Sequence, residues 1–432
     1  MAITVNQDPS FFNVTSNPVV FVASSDNTTL NQFQYVFDVR TSPDNTLRAR
    51  IKQYPNPDGS AVVDVSHVMN DYITFDADNF LNTGIQDVFG KEYRYFRVFV
   101  GEEYGTSPSS SVTLYDGLGS VGDPAVTGPN ARGNNYSAWA GAIDITPGIT
   151  SSTGGWNFGD YYGTGSIDYL LTNFRSTDLG AFPTNHKIGK EDYSLLPAID
   201  SNTNLSTQTT TVTLFNASNN SVGGATLDPT QAGLYINYIP AGPQNFLDAG
   251  LFTQSQINQT AWYSIVNAGD TTNLLKTYTV EECNNNYERR NFMFINKWGL
   301  WESYGMNTPL RQQSAITRDE MKKSVVPYSS TTAVNSYKLR GSEYYSTSIS
   351  DRFQITTPFV TGDESKFITE LIESPQVYLQ VNNLDMGLGS TISKTFVPVQ
   401  ITNSGYTHKT SNLQKLFQFD IEYKLANQRP GR

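Results

Sequence analysis

The stretch FQYVFDVRTSPDNTLRARIKQ (33–53) decides the fold class. In its first half, aromatic or apolar side chains fall on every second residue from Phe33 to Val39. In its second half, the apolar residues from Leu47 to Ile51 alternate with three cations. A period of two is the pattern of a β-strand with one buried face. The stretch therefore predicts two strands, each with one solvent-exposed (wet) face.

The neighbouring sequence extends this pattern into a domain over residues 1–105. PNPDGS (55–60) predicts a turn because Pro and Gly set turn geometry, and residues 67–72 predict a short helix. The apolar and aromatic run from Tyr93 to Val100 predicts a further strand. Short strands and turns at this spacing are typical of an immunoglobulin-like sandwich.

The remainder divides into three predicted segments. Residues 106–137 are rich in Gly, Ser, Pro and Asn, which predicts a linker or a long exposed loop. Residues 138–275 form a middle β-rich domain, in which 246–259 could form a short helix. Residues 276–432 form a C-terminal β domain with one amphipathic helix over 362–374. The expected fold class is mainly β, with several antiparallel β-sandwiches and one or two short helices.

Composition favours the same fold class. Apolar residues make up 38% of the 432, aromatic residues 12% and charged residues 16%. Asn, Ser, Thr, Gly and Tyr fill the difference, which suits sheets joined by polar turns. A helical protein would need more Ala, Leu, Glu and Lys.

The net charge is −11, and it is unevenly distributed. From Glu288 onward there are 17 Lys and Arg against 13 Asp and Glu, whereas the part before it has 12 against 27. The acidic balance argues against a nucleic-acid partner, since that needs a cationic surface. The split has two explanations: ordinary variation between domains, or oppositely charged faces of neighbouring subunits that meet head to tail.

Targeting and redox signals are absent from the sequence. Cys283 is the one cysteine, so neither an internal disulfide nor a cysteine zinc cluster can form. The first twelve residues lack the basic and apolar regions of a signal peptide. No stretch approaches 18 apolar residues, so we expect no membrane span.

The sequence gives little support for catalysis. The three histidines, His67, His186 and His408, lie far apart and outside any metalloprotease motif. The sequence has no G-x-S-x-G, no phosphate-binding loop, no dinucleotide fingerprint and no calcium loop. Adjacent carboxylates such as Glu281 and Glu282 point to opposite faces of a strand. We expect no enzyme activity and no cofactor, although catalytic pairs from distant segments would be invisible here.

An aromatic cluster is the best candidate site. NFMFI (291–295), an Asn/Gly turn and LWESY (300–304) predict a β-hairpin with aromatic residues on either side. The candidate interface residues are Trp298, Trp301, Tyr304, Arg289 and Arg290. One interpretation is a stacking platform for carbohydrate. The other is a hairpin that packs on the next domain or subunit, where Trp, Tyr and Arg are typical anchors.

Three stretches of the chain resemble virion proteins of tailed phages that infect Bacteroidota. The first is YPNPDGSAVVDVSHVMNDYI (54–73), and the second is NFMFINKWGLWESYGM (291–306). The third combines SPQVYLQV (374–381) with FVPVQITNSGYTHKTSNLQKLFQFDIEYKLAN (396–427). Together they cover under a fifth of the chain, and their motifs are structural. The resemblance implies a role in a tail, baseplate or neck assembly and carries over no active residues.

The expected function is therefore that of a structural virion protein that assembles with itself and with neighbouring virion proteins. The alternative is a receptor-binding tail protein that holds host surface glycan through exposed aromatic loops. A tail-associated glycan hydrolase is the third possibility. A glycan array separates the second from the first, and release of reducing sugar identifies the third.

Overall fold

The computed structural model describes residues 3–9, 12–105, 113–115, 135–141, 169–171, 186–200, 209–230, 232, 235–267, 274–281, 287–323, 341–382, 394–403 and 417–427. The chain forms two compact units. Unit 1 contains residues 1–282 and 294–303, and unit 2 contains residues 283–293 and 304–432. The short segment 294–303 therefore belongs to unit 1, although unit 2 supplies the chain on both sides of it.

The N-terminal part of unit 1 is built from two sheets. Their strands are β1 (Ile3–Gln7), β2 (Phe12–Val14), β3 (Val20–Ser25), β4 (Gln34–Ser42), β5 (Leu47–Gln53), β6 (Ser60–Asp64), β8 (Tyr93–Glu103), β9 (Thr113–Tyr115) and β10 (Asn135–Trp139). One sheet has the order β1-β3-β6, and the other has the order β2-β10-β8-β4-β5, with β9 also paired to β8. All these pairs are antiparallel except that of β10 with β2.

The predicted sandwich of the N-terminal region is confirmed. Phe21 and Val63 from the smaller sheet share one buried cluster with Phe37 and Val98 from the larger sheet. The wet face predicted for the strand of Phe33 to Val39 is wrong, because Asp38 on the opposite face is also fully buried. β4 lies between β5 and β8, so side chains from both neighbours cover its second face.

A second pair of sheets follows in unit 1. Their strands are β7 (Gln86–Asp87), β11 (Tyr169–Leu170), β12 (Lys187–Gly189), β13 (Leu195–Asp200), β14 (Thr210–Phe215), β15 (Ser221–Thr226), β16 (Tyr235–Pro240), β17 (Trp262–Asn267) and β18 (Leu274–Glu281). The strand orders are β11-β13-β16-β7 and β12-β18-β17-β14-β15. Leu196 and Ile239 of the first sheet pack with Leu214 and Ile265 of the second in one core.

The described residues contain four α-helices, where the sequence predicted one or two. They are α1 (Ser66–Asn70), α2 (Pro243–Asp248), α3 (Gln254–Gln259) and α4 (Gly362–Glu373); a 3₁₀ helix covers Ala77–Leu81. The single helix proposed for 246–259 is two short ones, because Gly250 between them has φ +67°. α4 matches its prediction, and a capping box closes its N-terminus, in which Thr361 and Glu364 each accept the other's backbone N–H.

The sheet of unit 2 has seven strands. They are β19 (Arg290–Ile295), β20 (Trp301–Met306), β21 (Leu310–Lys322), β22 (Ser342–Thr356), β23 (Val377–Asn382), β24 (Lys394–Ile401) and β25 (Asp420–Leu425). Their order is β20-β19-β23-β24-β25-β22-β21, so β21 is an edge strand. The residues of β19 and β20 nearest their connecting turn, 294–295 and 301–303, belong to unit 1.

The mainly β fold class is thus confirmed. The predicted division at 105, 137 and 275 stays a prediction, since the linker 106–137 falls mostly outside the described residues. His408 and Cys283 also lie outside them.

Candidate functional site

The predicted aromatic hairpin exists and is formed by β19 and β20. The backbone N–H of Gly299 donates to the carbonyl of Asn296 at 2.9 Å, and the N–H of Asn296 donates to the carbonyl of Leu300 at 2.9 Å. Gly299 has φ +73°. This is the three-residue hairpin loop in which a turn is followed by a left-handed residue, a position that favours glycine.

The turn of this hairpin packs directly against backbone. A Cβ on Gly299 would lie 1.1 Å from the carbonyl oxygen of Ala140. Conversely, a Cβ on Gly141 would lie 2.6 Å from the carbonyl oxygen of Trp298. Two glycines therefore permit a contact that no larger residue allows, and this contact fixes the tip of the hairpin within unit 1.

Trp301 is fully buried in unit 1. Its ring meets Phe80 edge to face, with centroids 4.8 Å apart, and meets Phe75 at 5.9 Å. Its backbone N–H donates to the hydroxyl of Tyr238 at 2.9 Å, and its indole N–H donates to Oε1 of Glu92 at 3.0 Å. Both polar groups of Trp301 thus have partners in an apolar setting, as burial requires.

Glu92 is a fully buried carboxyl group at the centre of this arrangement. Its Oε1 accepts hydrogen bonds from the backbone N–H of Asp76 and the amide of Asn79, both at 3.1 Å, as well as from Trp301. Burial raises the pKa of Glu92 to about 7, and the hydrogen bonds oppose that rise without cancelling it. Burial also raises the pKa of Tyr238 well above its ordinary value.

A buried ion pair between Lys276 and Glu302 also holds β20 in place. The ammonium of Lys276 lies 3.6 Å from Oε1 of Glu302, and both side chains are 2% exposed. Oε2 of Glu302 accepts from the amide of Asn296 at 3.0 Å. Burial lowers the pKa of Lys276, and Glu302 opposes that change. The adjacent Ser303 donates to Ser194 at 2.8 Å, so three successive residues of β20 make side-chain bonds to other strands or loops.

The other predicted site residues are distributed between the units. Trp298 lies with Trp301 in unit 1, whereas Tyr304, Arg289 and Arg290 lie in unit 2. Tyr304 meets Phe367 with ring centroids 5.9 Å apart, and Arg290 pairs with Glu288 at 2.5 Å. A carbohydrate platform needs exposed rings, and all three aromatic residues are buried within the chain. Their predicted contact with another subunit stays a prediction.

Sequence reasoning missed Glu92, Tyr238, Lys276 and Glu302, because their partners come from distant segments. All four side chains are buried. A pocket of about 260 Å³ is lined by Leu81–Gln86, Asp228 and Thr230, and none of the buried pairs reaches it. Within the described ranges, no group of three or more His, Cys, Asp and Glu is placed to hold a metal. The buried polar groups bond the hairpin to the residues around it.

A different surface is the stronger candidate for function. β21 and β22 form a long antiparallel ribbon, with Leu310 opposite Ile355 at its base and Lys322 opposite Ser342 at its far end. β22 pairs with β25 only from Phe353 to Thr356. Beyond that point, among the described strands, the two pair only with each other over about 11 residues, which corresponds to roughly 36 Å.

Both faces of this ribbon are exposed to solvent. Every residue of β21 after Leu310 is exposed, and so are most residues in the outer half of β22. Large apolar and aromatic side chains are among them: Ile316 (51% exposed), Met321 (43%), Tyr344 (60%) and Tyr345 (68%). An isolated two-stranded ribbon is at best marginally stable in water. The ribbon is therefore a two-stranded segment with little burial within the described part of the chain.

Comparison with known proteins adds no identification: the chain matches no family model and no curated protein sequence. None of the helices in the described part of the chain is long and apolar enough to span a membrane.

Proposed function

We propose that this chain is a structural component of a tailed-phage particle, in its tail, baseplate or neck, and that it acts by joining further copies of itself. The ribbon of β21 and β22 is the observation that carries the proposal. Among the described strands, β21 is the edge of its sheet, so the backbone N–H and C=O groups on its outer side have no neighbouring strand. Such an edge is a template for a strand of another chain.

The side chains of the ribbon favour a specific partner over general aggregation. β21 carries five charged residues of both signs: Arg311, Arg318, Asp319, Glu320 and Lys322. Charges on an edge strand discourage unselective pairing, whereas a partner with complementary charges in register is favoured. A second copy of the chain supplies the same mixed pattern, and self-association is the usual route to rings and tiers.

The test removes the outer ribbon without disturbing its base. Gln313 and Arg352 face each other across the strands, so an Asn-Gly turn can join them and replace residues 314–351. We expect the full chain to form a defined oligomer by light scattering. We expect the shortened chain to form a smaller species, because it lacks the contacts of the ribbon. Thermal unfolding should show that both are folded.

Two results would overturn this function. One is a shortened chain that forms the same oligomer as the full chain. The other is the absence of the protein from purified, nuclease-treated particles, measured by mass spectrometry, which would remove the virion assignment even if self-association holds.

Receptor binding is the second candidate, and the exposed aromatic residues of the ribbon favour it. Tyr345 is the extra residue of a bulge between two register positions of β22, and the guanidinium of Arg318 lies 5.6 Å from the ring of Tyr344. Exposed rings beside a cation can stack on sugar. A variant with both tyrosines changed to serine that assembles normally but no longer adsorbs to host cells would establish this function instead.

A further inference from the structure

A cluster of cations covers one face of the N-terminal sheet. The first 287 residues contain 12 Lys and Arg in all, and four of these share one face of three neighbouring strands: Arg40, Arg50, Lys52 and Arg97. The same 287 residues contain 27 Asp and Glu. The cations of an acidic region are therefore concentrated in one place.

Two of these cations lie directly opposite each other. Arg40 on β4 is the register partner of Arg97 on β8. Like charges directly opposite on adjacent strands destabilise a sheet. Both guanidinium groups lie against the same ring, 5.5 Å and 5.2 Å from the centroid of Phe99. Stacking on an aromatic ring orients them but does not neutralise their charge.

The described carboxylates on this face are already paired: Glu103 lies 2.6 Å from Lys52, and Asp38 binds two arginines. Asp38 is fully buried and accepts from Nε of Arg50 at 2.6 Å, from Nη2 of Arg50 at 2.8 Å and from Arg40 at 3.1 Å. Burial works to raise the pKa of Asp38, but the hydrogen bonds from Arg50 and Arg40 hold it below its ordinary value. Asp38 is thus a charged group that binds Arg40 and Arg50, and it does not bind Arg97.

Arg97 has no polar partner of its own. Its Nε is buried without a hydrogen bond, as is Nε of Arg40, and its guanidinium has neither a hydrogen bond nor an ion pair within the described ranges. Buried donors normally have acceptors. The fork of an arginine matches a carboxylate, which can accept two parallel hydrogen bonds from it.

We propose that the face formed by Arg40, Arg50 and Arg97 binds an acidic segment of a second copy of this chain, with a carboxylate of that copy against Arg97. Charge favours this occupant, because residues 1–287 of any copy are strongly acidic outside these three strands. A nucleic acid is disfavoured by the same excess of negative charge. The contact joins different surfaces of the two copies, which is the geometry of a ring or a filament.

The first measurement is self-association of the full chain by sedimentation velocity at low and high salt. We expect Arg97→Glu to weaken association by roughly tenfold or more at about 0.05 M salt, and we expect high salt to weaken the wild-type association. Lys187→Glu is the matched control, since it reverses an exposed cation of the same unit that pairs with Glu281 at 3.4 Å. Equal association of wild type, Arg97→Glu and the control would overturn the proposal.

The second measurement locates the contact. Arg97→Lys places an amine at this position, and a carbodiimide couples amines to carboxylates that touch them. In a mixture of ¹⁵N-labelled and unlabelled chains, we expect an isotopically mixed cross-link from Lys at position 97 to an Asp or Glu within residues 1–287. If cross-links from this position stay within one chain while oligomers are present, the proposal is wrong, whereas the ribbon can still be the assembly surface.

Discussion

Trp301 and Glu92 are joined by a hydrogen bond of 3.0 Å between the indole N–H and Oε1, and both side chains are fully buried. They are 209 residues apart in the chain. The bond ties the hairpin segment 294–303 to the loop before β8, so the stability of this part of unit 1 depends on a carboxyl group whose protonation changes near neutral pH.

Glu92 therefore predicts a pH-dependent stability. The pKa of Glu92 is about 7 in the folded chain against an ordinary 4.5, so the folded state holds the proton more tightly. The stabilisation is complete below about pH 4.5, falls as pH rises through about 7 and amounts to about 3 kcal/mol. Glu92→Gln stays neutral, so the difference in unfolding free energy between variant and wild type should change by about this amount from pH 4 to pH 8. Denaturant titration at several pH values measures it, and parallel profiles would refute the assignment.

Trp301 predicts a large loss of stability on truncation. Replacing a fully buried tryptophan by alanine costs about 3–5 kcal/mol through lost contacts and a cavity, and Trp301→Ala should also leave Glu92 with one donor fewer. Trp301→Phe keeps an aromatic ring and should cost less. Trp262→Ala is the control, because this tryptophan is only half-buried and bonds Asn219 at the surface. Denaturant unfolding that ranks Trp262→Ala as the more damaging change would contradict the structure.

Gly250 and Gly299 both have a left-handed backbone, but only Gly299 packs against other atoms. Comparing their alanine variants therefore separates the cost of backbone strain from the cost of a steric clash. Gly250→Ala should cost about 1–2 kcal/mol, since φ is +67° and the space around it is open. Gly299→Ala has a similar φ of +73°, but its Cβ would overlap the carbonyl oxygen of Ala140. We expect Gly299→Ala to lower the melting temperature far more, or to prevent folding. Equal effects in the two variants would show that the turn does not pack on residues 140–141.

Elements with one apolar face were predictable, because the spacing of their apolar residues can be read within a short stretch of sequence. The helix of 362–374 has such a pattern. The strand of Phe33 to Val39 shows an apolar alternation too, which predicted the strand but not the burial of its second face. The ribbon has no such pattern: QQSAITRDE (312–320) is polar on both faces, since neither face is buried in the chain. Periodicity detects burial, so a strand that is exposed on both sides gives no signal.

The buried polar pairs were unpredictable for another reason. Glu92 lies in the ordinary-looking run GKEYRYF (90–96), and its partners come from residues 76, 79 and 301. Lys276 is the only charged residue of β18 besides Glu281 at its end, and its partner is 26 residues further along the chain. A charged residue inside a strand signals an exposed face by default, and only the register of the sheets shows that these two are enclosed.

The pair of Lys276 and Glu302 predicts that losing one charge is worse than losing both. Lys276→Met leaves Glu302 buried without its cation, while the amide of Asn296 still donates to Glu302 at 3.0 Å. An uncompensated buried charge costs about 3–5 kcal/mol. The double variant Lys276→Met, Glu302→Gln removes both charges and keeps an acceptor for Asn296, so we expect it to recover much of that loss. The four chains of this double-mutant cycle can be compared by denaturant unfolding at pH 7. If the double variant is as unstable as the sum of the two single variants, the two charges do not interact, and β20 is held by packing and by the hydrogen bonds of Trp301 and Ser303.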